Sequence, residues 1–95
     1  MAESKTFTDV TPHMWERLQT LGREKHGTEF HAHSETHGQA STATPLGKLV
    51  LEYAHNPKEA TVTYTIVSKP MFVMSPIIWN GIETALKGLR DDGSA

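Results

Sequence analysis

Two helix starts of the same design bracket the chain and constrain its fold more than any other feature. Val10-Thr11-Pro12-His13-Met14-Trp15 and Met74-Ser75-Pro76-Ile77-Ile78-Trp79 each offer a hydroxyl residue to cap the helix. Each then places proline at the first helical position and sets an apolar residue before the cap opposite a tryptophan at the fourth. After the first start, Met14, Trp15, Leu18 and Leu21 recur at helical spacing, and the helix is expected to stop near Lys25. After the second, Ile78, Ile82, Ala85, Leu86 and Leu89 form the stripe, with Gly88 and Arg90 near the end where a C-cap and a cation belong. The similarity fades after two turns, so it reads as shared capping chemistry rather than duplication, and both tryptophans read as packing residues.

Between the helices the hydrophobic period falls from 3.6 to 2. Thr61–Val67 alternates cleanly, with Val62, Tyr64 and Ile66 on one face and three threonines on the other. Lys48–Tyr53 is its natural partner, turning Leu49, Leu51 and Tyr53 inward, with Asn56-Pro57-Lys58-Glu59 as the turn. Thr44-Pro45-Leu46-Gly47 reads as a type I turn leading back to a strand over 39–44. Glu29–His37 reads as a further strand that turns back at His37-Gly38. The expected fold is therefore α+β: an antiparallel four-stranded meander with the N- and C-terminal helices packed on one face, in the order α-β-β-β-β-α. The 95 residues make one small domain, with 1–9 and 91–95 frayed and Thr6-Phe7-Thr8 able to add only a short edge strand.

Composition bears on this in two ways. Leu, Ile, Val and Phe account for 19 of 95 residues, a lean supply, yet a net charge of only −2 favours a folded domain with a thin core. The absence of cysteine excludes disulfides, thiolate zinc sites and a thiol nucleophile. Near-neutral charge with scattered basic residues argues against nucleic acid or an anionic membrane as partner. The N-terminal residues lack an apolar signal core, and the apolar run around Met71–Trp79 is interrupted by Ser75-Pro76 and too short to span a bilayer, so the expected location is cytoplasmic.

The histidines carry the chemical interest. Protonating all six would move the formal charge from −2 to +4, so a pH-responsive binder is one reading. Three of them, His31, His33 and His37, share one alternating set with Glu35 if Glu29–His37 is a straight strand. Imidazoles two residues apart on a strand can converge on one divalent metal ion, which makes these three the candidate metal ligands. A neighbouring strand would have to complete the set, from His55 in the turn after the third strand, His13 or His26 beside the first helix, or Glu52 on the open face. The competing reading is a solvated or interface face, and a His–Glu acid–base pair is a third.

Gly47-Lys48 fails as a phosphate loop, lacking the upstream glycine and the following hydroxyl residue, and no other catalytic motif occurs. The link Lys69–Met74 is apolar. It either closes the end of the core or leaves Met71, Phe72 and Met74 as an interaction patch. With no complete catalytic set, the chain reads as a binding or accessory domain rather than an enzyme. It would act through self-association as a homodimer, or through a protein partner, on the open sheet face or the methionine edge. The rival is a metal-binding protein or metal-dependent enzyme centred on the histidine-rich strand.

Overall fold

A computed structural model describes residues 3–71 and 73–91. Its elements are β1 (Ser4–Phe7), α1 (Pro12–His26), β2 (Glu29–Ala32), β3 (His37–Thr44), β4 (Gly47–Asn56), β5 (Thr61–Ser68) and α2 (Ser75–Asp91). The strands form one antiparallel sheet in the order β1-β5-β4-β3-β2. The class is α+β, as expected, with five strands instead of four.

The short edge strand offered at Thr6-Phe7-Thr8 forms, shifted toward the N-terminus at Ser4–Phe7, so the expectation of fraying over 1–9 fails for residues 4–7. Ser4–Phe7 pairs with β5 in the register Ser4↔Thr65 to Phe7↔Val62. What holds it is Phe7, which is buried and meets the rings of Tyr64 and Trp79 at 6.1 and 6.2 Å. On the opposite face, hydroxyl pairs join Ser4 to Thr65 and Thr6 to Thr63, each at 2.8 Å. Residues 1, 2 and 92–95 lie outside the described residues, and Asp91 is the last residue of α2.

The turn between β2 and β3 comes earlier than His37-Gly38. Strand β2 ends at Ala32, and the chain reverses through residues 33–36 before His37 opens β3. The Ser34 hydroxyl accepts hydrogen bonds from the backbone N–H groups of Thr36 and His37, at 3.3 and 3.1 Å. Such local bonds offer the backbone an alternative to the strand ladder. The N–H groups of His33 and Ser34 both donate to the His37 carbonyl, which closes the turn.

Helix α1 follows its sequence signals closely. Thr11 is its N-cap, accepting from the Met14 N–H at 3.2 Å, and Val10 and Trp15 are both buried around it. Gly27 ends the helix in the left-handed conformation, φ 63°, a geometry that suits glycine. At the second helix, Trp79 is buried but Met74 is 62% exposed, so the pair expected to staple that start does not close.

Both helices cover one face of the sheet. Trp15 of α1 contacts Phe30, Tyr53, His55 and Tyr64, and Trp79 of α2 contacts Phe7. Val62, Tyr64 and Ile66 of β5, and Leu51 and Tyr53 of β4, are buried between the layers as their alternation requires. Removing a side chain of this size from water stabilises by about 1.5–3 kcal/mol relative to leaving it exposed. The thin core suffices because it is concentrated between one sheet face and two helical stripes. His55 is not in a turn. It is the next inward residue of β4, stacked on Trp15 at 5.6 Å, and its Nε2 lies 3.3 Å from the Val10 carbonyl oxygen. That carbonyl belongs to the loop whose other anchor is the Val10 N–H, bonded to the Ala60 carbonyl at 2.7 Å.

Candidate functional site

The two layers do not fill the space between them. Toward the β2 edge, an apolar cavity of about 330 Å³ opens between the sheet and both helices. Its floor is sheet: Phe30, Ala40, Leu49, Leu51 and Tyr64. Leu18, Leu21 and Gly22 of α1 form one wall; Ile77, Ile78, Gly81, Ile82 and Ala85 of α2 form the other, with Val73 at the end.

Small residues on facing elements account for the opening. Ala40 sits mid-strand on the floor, while Gly81 and Ala85 line the α2 wall. Gly81 is exposed, and a Cβ built on it would meet nothing within 4 Å, so it leaves the mouth of the cavity open to solvent. Gly22 acts differently. A Cβ there would come within 3.3 Å of the Phe30 ring, so this glycine lets α1 approach β2 closely. Arg23 covers the same ring from outside, its guanidinium 5.6 Å from the centroid.

One corner of the cavity is polar. The Gly27 cap turns the chain sharply out of α1, and the N–H groups of Gly27 and Thr28 both donate to the Gly22 carbonyl. This delivers Thr28 opposite Thr42 of β3, with their hydroxyl oxygens 2.7 Å apart. His26, the last residue of α1, stands beside them on the cavity lining. The other titratable lining group is Tyr64. Burial pushes its phenol far above the usual range, and the neighbouring Tyr53 phenol adds to the effect. Tyr64 therefore remains a neutral hydroxyl at any physiological pH.

The exposed rim is apolar as well. Ile77 is 61% exposed and Met71 83%, and with Met74 and Leu46 they crowd the link between β5 and α2 and the turn between β3 and β4. Pro70 lies against Gly47, within 3.4 Å of where a Cβ would stand, which brings link and turn together. Of the three residues suggested as an interaction patch, Met71 and Met74 are exposed, and Phe72 lies outside the described residues.

The candidate metal ligands end up on different elements. His31 is on β2 opposite Gln39, His33 follows the strand end, and His37 opens β3. His31 and His37 are diagonal neighbours on the open face, and His33 joins His37 through its backbone N–H. The His37 Nδ1 is 2.7 Å from the Thr36 hydroxyl. Among the described residues, no three His, Asp or Glu side chains come together as a metal-holding group. Glu52 lies two strands from His31, beyond Gln39 in the same cross-strand row.

A larger depression, about 620 Å³, lies where β4 and β5 turn and is lined by groups such as Thr36, His37, Asn56, Lys58 and Thr63. It is a wide, shallow depression whose lining mixes these polar groups with Ala54 and Pro57. The smaller cavity has the usual form of a small-molecule site: apolar walls with a few convergent polar groups. Sequence reasoning did not single it out, although it placed about half of the lining residues, among them Leu18, Leu21, Phe30, Leu51, Ile78 and Ile82, in the core. The available signal was small residues among the apolar positions, Ala40 on β3 and Ala85 on α2, with exposed Gly81 beside them.

No protein-family model matches the chain, and no curated protein or solved structure matches it either. Among the described residues, no helix is long and apolar enough to cross a membrane.

Proposed function

We propose that this chain acts by binding, and that it holds a small apolar molecule in the cavity between the β2 side of the sheet and the two helices. The observation that carries this reading is the apolar cleft itself, with Gly81 at its mouth. A glycine in a helix interior costs about 1 kcal/mol relative to alanine, and here it is exposed at the mouth of an apolar cleft of about 330 Å³ lined by isoleucine, leucine and phenylalanine. A core built for stability alone would fill that space. Titrating the protein with naphthalene and following backbone amide resonances tests the reading. Saturable shifts confined to cavity residues such as Ala40, Thr42 and Ile82 are expected. Shifts that are absent, or spread evenly over the surface, would overturn it.

A second reading draws on the rim. Leu46, Met71, Met74 and Ile77 are all more than half exposed. A patch of this kind favours association, here with a second copy of the chain, at the same end of the molecule. The open sheet face supports association less well, because its Ser4–Thr65 and Thr6–Thr63 hydroxyl pairs satisfy one another and suit water. Light scattering on the eluting protein decides the point. A dimer that dissociates in Met74→Glu supports the rim, and a monomer at millimolar concentration removes it.

A further inference from the structure

We infer that the cavity's ligand is a compact apolar molecule of about a dozen heavy atoms bearing one hydrogen-bond-accepting oxygen, seated at Thr28, Thr42 and His26; this rests on the ligand-binding reading above. Size comes from volume. An apolar cavity of about 150 Å³ holds benzene, and the cavity here is about 330 Å³, roughly twice that capacity.

The head group follows from counting hydrogens. The Thr28 and Thr42 hydroxyls, 2.7 Å apart, have one hydrogen each, and the bond between them uses one. The second hydrogen can be donated into the cavity. His26, exposed at the end of α1, also lines the cavity. No carboxylate lines the cavity, so nothing there neutralises a cationic head. Arg23 lies over Phe30 and Lys25 is in the last helical turn, while Glu29, the residue after Thr28, alternates with Phe30 to the opposite face of β2. Glu24 lies on the other side of α1, with Arg17 and Thr20. Donors without a facing anion select an acceptor oxygen, whether ketone or carboxylate, over an ammonium group.

Four probes with one ring system separate these cases: naphthalene, 2-acetylnaphthalene, 2-naphthoate and 2-naphthylmethylammonium, each titrated against the full chain by amide resonances. A single added hydrogen bond should make the ketone bind about three- to tenfold tighter than naphthalene. The carboxylate should equal or exceed the ketone, and the ammonium should bind most weakly. The oxygen advantage should vanish in Thr42→Val while naphthalene affinity is kept, with Thr28→Val as the second variant should the first fail to fold. Naphthalene binding as tightly as both oxygen-bearing probes, or an advantage that survives both valine variants, would overturn the inference and leave the cavity reading standing. If naphthalene itself does not bind at the cavity, the cavity reading falls and this inference with it.

Discussion

Tyr53 lies across the strand pair from Gly38, and its phenol ring occupies the space that a side chain at Gly38 would need. A Cβ on Gly38 would stand 2.7 Å from Tyr53 Cζ and 2.6 Å from the His31 carbonyl oxygen. One of those neighbours is backbone, so the clash cannot be relieved by a rotamer change alone. Glycine to alanine in a strand ordinarily stabilises, through the entropy of the unfolded chain. Here overpacking reverses the sign. Gly38→Ala should cost about 1–3 kcal/mol, read as a lower urea midpoint at unchanged slope.

Gly81 predicts the opposite. A Cβ there meets nothing, and the residue is in the interior of α2. Gly81→Ala should therefore stabilise by about 0.5–1 kcal/mol through helix propensity. A loss of stability in thermal melts would show that the space is not open.

The pairing of β1 with the sheet depends on burial far more than on charge. Lys5 and Glu83 form a salt bridge at 2.9 Å, but both side chains are close to half exposed. Exposed pairs of this kind contribute about 0–1 kcal/mol. Phe7 is buried against Tyr64 and Trp79, and its truncation to alanine should cost about 3–5 kcal/mol. Denaturant melts of Phe7→Ala and Glu83→Gln should differ in that order, with Glu83→Gln close to wild type.

Alkaline pH should destabilise the fold through Tyr64. Burial raises its pKa above the ordinary 10.0 in the folded state only. The unfolded chain therefore loses this proton first, and from about pH 10 it binds fewer protons than the native state, so stability falls as pH rises. The fall should approach about 1.4 kcal/mol per pH unit for this single proton. Tyr53, raised in the same direction by burial, adds a further part. In Tyr64→Phe the alkaline slope should be shallower than in wild type across pH 8–11, and an unchanged slope would place its cause elsewhere.

Much of this arrangement was legible in the residues. Thr11, Pro12 and Gly27 announce α1, and the alternation through Val62, Tyr64 and Ile66 fixes which face of β5 is buried, because both signals act within a few residues. Strand β1 was harder to read. Four polar-rich residues carry little periodic signal, and their pairing with β5 depends on Phe7 finding Tyr64 and Trp79 far along the chain. The histidine alternation misled because Ser34 stops β2 with local hydrogen bonds, which hydrophobic pattern does not register. His55 could have been placed by extending the Leu49, Leu51, Tyr53 alternation one step further. The cavity was hidden for a different reason: apolar residues announce that they are buried, but not whether their neighbours leave a gap.

The central claim is that the space beside Gly81 is a binding site, and filling it is the direct test. Naphthalene should be titrated against wild type and Gly81→Leu, with amide resonances of Ala40, Thr42 and Ile82 as the readout. Gly81→Leu should remain folded, with a melting temperature at or above wild type, and should lose the saturable shifts that wild type displays. Equal binding by the two proteins would contradict the account.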